Sequence, residues 1–78
     1  MLKKFFGKKK ADEPFVKVSS YEMVGVIIDR EPRGYFWRKD GRGVYVACDN
    51  STGHALVETF PSKRLALEWL RARVEDTD

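Results

Sequence analysis

Two clusters of turn formers, Lys39-Asp40-Gly41-Arg42-Gly43 and Asp49-Asn50-Ser51-Thr52-Gly53, constrain this chain more than any other feature. Short apolar runs lie between and around them, over residues 35–38, 44–48 and 55–60. Asp-Gly between two such runs is a strong hairpin signal, because the favoured tight turn needs positive φ at its centre. Two hairpins in succession give an antiparallel meander with its three strands adjacent in order.

The segment after the meander has the other clear periodicity. Pro61 breaks the last strand, and Ser62 is an N-cap residue whose hydroxyl can accept a backbone N–H. Ala66, Leu67, Leu70 and Val74 then recur at steps of three and four, with Leu65 and Trp69 widening the apolar face. Arg71 and Arg73 lie in the last turns, where cations suit the helix dipole. A helix over 63–74 is expected to pack across the sheet.

Upstream, residues 15–19 alternate apolar and polar as a short strand does. Residues 21–28 (YEMVGVII) read as a strand apolar on both faces, with Gly25 marking a bulge or a close approach. Residues 29–34 hold Pro32 and Gly34 and read as a loop. The expected fold class is thus α+β: a small antiparallel sheet of three to five strands packed by one C-terminal helix. The expected divisions are a basic arm over 1–13, one domain over 14–74 and an acidic tail over 75–78.

Composition narrows the function classes. One Cys permits no internal disulfide, and one His gives no histidine cluster for a metal. Neither a phosphate loop nor a dinucleotide fingerprint is present, since Gly41-Arg42-Gly43 does not lead into a helix. Cys48, His54 and Asp49 are the only residues resembling a nucleophile set, and nothing beside them supplies an oxyanion site. The expectation is a non-enzymatic protein without cofactor or metal. No stretch approaches the ~20 apolar residues of a membrane span. Residues 1–10 lack the apolar core of a secretory signal, so the expected location is cytoplasmic.

Charge points to an anionic partner. Residues 1–13 carry five lysines (Lys3, Lys4, Lys8, Lys9 and Lys10) against Asp12 and Glu13, and residues 14–74 carry ten bases against seven acids. Leu2, Phe5 and Phe6 stand at helical spacing among those lysines. That is the pattern of a docking or membrane-surface helix, or else of a solvated arm. Arg33-Gly-Tyr-Phe-Trp-Arg-Lys-Asp-Gly-Arg42 combines four bases and three aromatics with one acid. Such a stretch can contact phosphates and stack on bases, or its aromatics can simply fill the core.

Arg33-Gly-Tyr, Gly41-Arg-Gly-Val-Tyr-Val-Ala, Glu58-Thr-Phe-Pro-Ser and Ala66-Leu occur in this order within a sheet-then-helix layout. Over about residues 33–74 this resembles the DNA-binding domain of plant ethylene-response factors, and it is similar to the arm-site-binding domain of tyrosine integrases. The resemblance implies a three-stranded sheet laid in the major groove with a helix behind it. It would assign contacts to Arg33, Arg38 and Arg42. Strand alternation aims Val44, Val46 and Cys48, then His54, Leu56 and Glu58, away from the helix, and Tyr45, Ala47, Ala55 and Val57 toward it. An apolar face bearing Val44, Val46 and Leu56 needs a cover: residues 21–28, a second copy, or another protein.

The functional expectation is nucleic-acid binding, to duplex DNA, in a regulatory or accessory role. Arg33, Arg38, Lys39 and Arg42 would make the contacts, Tyr35 and Trp37 would stack, and Lys8, Lys9 and Lys10 would reach phosphates. The alternative is a protein-interaction or homodimerisation module that buries Val44, Val46 and Leu56.

Overall fold

The structure is a computed structural model and describes residues 14–76. The order of elements is β1 (Phe15–Lys17), α1 (Ser20–Asp29), β2 (Tyr35–Lys39), β3 (Tyr45–Asp49), β4 (Leu56–Phe60) and α2 (Lys63–Asp76). The four strands form one sheet in the order β1-β2-β3-β4. The meander β2–β3–β4 is antiparallel, with Trp37 opposite Ala47 and Ala47 opposite Glu58. β1 lies parallel to β2, with Phe15 opposite Tyr35. The α+β class with a C-terminal helix holds, and the sheet is mixed at one edge.

Residues 21–28 are helical, which corrects the strand expected there. Ser19 is extended (φ −79°, ψ 169°) and caps the helix. Its Oγ accepts from the Glu22 N–H at 3.1 Å, and Glu22 Oε1 accepts from the Ser19 N–H at 2.7 Å. This reciprocal box satisfies two donors that the first turn would leave unpaired. Met23, Val26 and Ile27 stand at helical spacing and pack inward, so tertiary burial overrides the β-preference of the Val and Ile residues. Arg30 ends the helix in the left-handed region at φ 62°, its N–H bonded to the Val26 carbonyl at 2.8 Å. Its guanidinium donates to the Ile27 and Gly53 carbonyls, each at 3.1 Å, which ties the end of α1 to the β3–β4 loop.

Each sheet face has a helix. On one face Phe15, Trp37 and Ala47 pack against Ala66, Leu67 and Leu70 of α2, with Tyr35, Tyr45, Phe60, Trp69 and Val74 around them. Burying a Leu such as Leu70 contributes about 1.5–3 kcal/mol relative to leaving it exposed. On the other face Phe36 and Cys48 pack against Met23 and Val26 of α1, with Val18, Ile27, Val46 and Ala55 at the margin. The second apolar face is therefore covered by residues 21–28, in helical form.

The β4 face assignment is reversed from expectation. Leu56 stands opposite Asp49, and Val57 opposite Cys48. Leu56 and Glu58 therefore share the α2 side, while Val57 and Thr59 share the α1 side. The register sets the faces: Asp49 pairs with Leu56 across the loop of residues 50–55, so Leu56 takes the face of Asp49 while Ala55 packs with the α1-side cluster. Val44 belongs to the hairpin turn and precedes β3. Val44, Val46 and Leu56 consequently do not form one patch.

Asn50 organises the end of the sheet near Gly53. It is fully buried, and its Nδ2 donates to the Pro32 carbonyl at 2.8 Å while its Oδ1 accepts from the Ala55 N–H at 3.1 Å. Its backbone exchanges hydrogen bonds with Gly34 at 2.7 and 3.2 Å. One side chain thus joins the α1–β2 loop to the β3–β4 loop.

Candidate functional site

The registers place basic residues from three elements at the opposite end of the sheet. Lys17 ends β1 beside Trp37, and Lys39 ends β2 opposite Tyr45. Tyr45 is opposite Phe60, and α2 begins at Lys63 just beyond it. Lys17 Nζ and Lys63 Nζ lie 5.6 and 5.0 Å from the centroid of the Trp37 ring. The ring quadrupole offsets part of the repulsion between these two cations.

The β2–β3 turn projects from this end. The Asp40 N–H donates to the Val44 carbonyl at 2.6 Å, and the Gly43 N–H to the Asp40 carbonyl at 3.0 Å. Gly43 has φ 82°, a conformation that L side chains resist. Asp40 Oδ1 accepts from the Arg42 N–H at 3.1 Å and lies 3.8 Å from Arg42 Nε. The Arg42 side chain is 87% exposed, so this contact leaves it largely in solvent.

The start of α2 adds to the positive charge. Ser62 Oγ accepts from the Leu65 N–H at 3.2 Å, as the N-cap position predicts. The first turn holds Lys63 and Arg64 and no acid. Cations there oppose the positive pole of the helix dipole, an arrangement that an anion relieves. Arg64 is bridged to Glu68 at 3.0 Å, one turn on.

The basic–aromatic stretch is split by the fold. Lys39 and Arg42 come together at the hairpin end. Arg38, half-buried, is opposite Val46 on the α1 side. Arg33 lies at the far end of β2, its guanidinium against Gly53, where an added Cβ would meet it at 3.1 Å. Tyr35 and Trp37 point to the α2 side, and Trp37 is 5% exposed, so its ring is core and not a stacking surface. Among the described residues, the buried Trp37 Nε1 has no hydrogen-bond partner. Lys8, Lys9 and Lys10 lie outside the described residues. Lys17 and Lys63 were not among the expected contacts. Two bases and no acid in the first turn of a helix was the available signal.

Cys48, Asp49 and His54 do not converge. Strand alternation sends Cys48 to the α1 core and Asp49 to the α2 side. Burial, and then the charge of Asp49, push the Cys48 thiol above its ordinary pKa, so it stays protonated near neutrality. His54 Nδ1 pairs with Thr52 Oγ1 at 2.7 Å. Burial would raise the Asp49 carboxyl, but the Ser51 N–H, the Arg73 guanidinium and the Ser51 hydroxyl outweigh it and hold the group below the usual carboxylate range. Among the described residues no three His, Cys, Asp or Glu side chains are grouped to hold a metal ion. No helix among them is long and apolar enough to cross a membrane.

Comparison with family models, with curated proteins and with solved structures gives no match for this chain.

Proposed function

We propose that this protein binds nucleic acid through the phosphate backbone, using the end of the sheet that carries Lys17, Lys39, Arg42 and Lys63. The observation that supports this reading is the convergence of bases from β1, the β2–β3 hairpin and the first turn of α2 around one edge. α1 lies on the sheet face that a groove-reading sheet would present, so the contact is made by the hairpin end and the helix terminus. Arg38 flanks that edge from the α1 side. Duplex DNA, with its dense phosphate charge, is the target this favours, and recognition is largely independent of sequence.

The test is a fluorescence-anisotropy titration of a duplex and a single-stranded oligonucleotide at 50 and 200 mM salt. Four phosphate contacts correspond to a log–log salt slope near about −3.6, or a loss of roughly 100-fold in affinity over that interval. Lys39→Glu with Arg42→Glu is expected to weaken binding at least tenfold, and Arg33→Glu, at the other end of β2, much less. Absence of binding at 50 mM salt overturns the reading. Equal losses in both variants would assign the binding to overall charge instead of this edge.

A further inference from the structure

α1 is apolar on two sides, and only one of them is used. Its inner side, Met23, Val26 and Ile27, packs on the sheet. On its outer side Tyr21 is 88%, Val24 50% and Ile28 71% exposed. Tyr21, Val24 and Ile28 stand at steps of three and four, so they form one stripe directly opposite the buried one. Gly25 lies beside the stripe, and among the described residues no side chain and no other element comes within 4 Å of the place its Cβ would occupy. A shallow groove runs over it, continuing past Val26 to Pro32 and Phe36.

The rim of that groove is acidic. Glu22, Asp29 and Glu31 line it. The last turn of α1 contains no base, so the negative pole of the helix lacks a cation of its own there. Arg30, next in sequence, is turned to the Ile27 and Gly53 carbonyls. An occupant therefore needs apolar anchors at helical spacing and positive charge near the end of α1.

We propose that this face is the seat of the chain's own N-terminal segment, residues 1–10. Leu2, Phe5 and Phe6 supply three apolar side chains at steps of three and one, on one helical face. Lys3, Lys4, Lys8, Lys9 and Lys10 supply the charge. The geometry of attachment fits. β1 starts at Phe15 beside Tyr35, and α1 ends at Asp29, tied through Arg30 to Gly53 at the same end of the sheet. Residues 11–14 can span up to about 17 Å between Lys10 and Phe15. A segment arriving this way sets Lys8–Lys10 beside Asp29 and Glu31 and sends Phe6, Phe5 and Leu2 along the stripe.

Charge argues against the simplest competitor. Two α1 faces from separate copies would bring Glu22, Asp29 and Glu31 of one against the same acids of the other. A three-side-chain stripe on so short a helix also falls well below the roughly 1,000 Å² that a specific interface needs. The seat lies away from the hairpin edge and does not depend on nucleic-acid binding.

The test uses the full chain with a nitroxide attached at Lys3→Cys; the native Cys48 is fully buried and stays unlabelled. Amide signals of Tyr21–Asp29 are expected to broaden, and those of α2, on the opposite sheet face, to be spared. A mixture of nitrogen-15 chains without nitroxide and unlabelled chains with it is expected to show no broadening. Broadening of the same signals in that mixture would give the seat to the arm of a second copy and overturn the proposal. Broadening in neither sample, or equally over the whole protein, overturns it as well. Gly25→Leu fills the groove without harming helix propensity, and Asp29→Lys with Glu31→Lys reverses the rim. Both are expected to abolish the broadening, and its persistence in either would place the segment elsewhere.

Discussion

Asn50→Ala is the perturbation that most directly tests how the two loops are held together. The substitution removes a donor to the Pro32 carbonyl and an acceptor for the Ala55 N–H from a fully buried site. A buried polar group left without a partner costs about 1–3 kcal/mol, so the two together are worth about 2–4 kcal/mol once partial rehydration of Pro32 is allowed for. The Ala55 N–H bears the larger share, because the same hydrogen bond holds Ala55 at φ 51°, a conformation that costs a non-glycine residue free energy. A chain of 78 residues has a total stability of about 4–12 kcal/mol. A thermal melt followed by circular dichroism should therefore fall by about 10–25 °C. Asn50→Asp keeps the acceptor but buries a carboxylate against the Pro32 carbonyl, and it should be at least as destabilising at neutral pH. A melt of Asn50→Ala within about 3 °C of the parent would refute the reasoning and mean that water replaces the amide without loss.

Leu70→Ala, at a fully buried position of α2, should cost about 2–5 kcal/mol by urea denaturation, with the exposed Ala72→Gly as a milder control at about 1 kcal/mol. The Asp49 carboxyl is held below its ordinary pKa in the folded state, so its stabilising contribution is complete above about pH 4, the unfolded value, and is lost as pH falls from there through the lower folded value. Asp49→Asn should remove that part of the acid-induced loss, seen as a shallower fall of stability below pH 4. Val46→Glu puts a charge at the half-buried margin of the α1 core and should lower the melting temperature with the mass unchanged by light scattering. A halved mass would instead reveal a dimer closed through this face.

The parts of the fold legible in the sequence are those written in local chemistry. The Asp-Gly turn, the 49–53 loop and the Ser62-capped helix each specify an element through residues adjacent in the chain. α1 was legible too, through Ser19 and Glu22 at capping-box spacing, but the Val and Ile content of residues 24–28 weighed toward a strand. β4 was found while its faces were exchanged, because the faces depend on which residue of β4 pairs with Asp49, a register that local sequence across the 50–55 loop does not specify. The tie from the Asn50 amide to the Ala55 N–H, which helps hold that register, is likewise a contact between residues five apart and not a signal either residue carries alone. The site divides the same way. Lys39 and Arg42 could be read as one cluster from their place around a hairpin. Lys17 and Lys63 are 46 positions apart, and only the packing of β1 and α2 across Trp37 brings them to the same ring.

Net charge also says little about where an anionic partner goes, because the charge is unevenly sorted. Residues 20–31, α1 and the residues after it, hold Glu22, Asp29 and Glu31 against the single Arg30, while the rest of the 14–74 body holds nine bases against four acids. On the proposed function, a nucleic acid approaching the hairpin edge meets concentrated positive charge, whereas α1 itself carries a net negative charge that the lysines of residues 1–10 offset when seated there. This sorting links the two proposals in a way that can be measured. Asp29→Lys with Glu31→Lys should raise affinity for a duplex at low salt, because it removes repulsion from the field as a whole. The same pair should release residues 1–10 from α1 by removing the charge they are drawn to. If both effects appear, the α1 acids serve the chain's own lysines. If affinity rises while the broadening persists, the acidic rim does not hold residues 1–10 and the proposed seat on α1 is overturned.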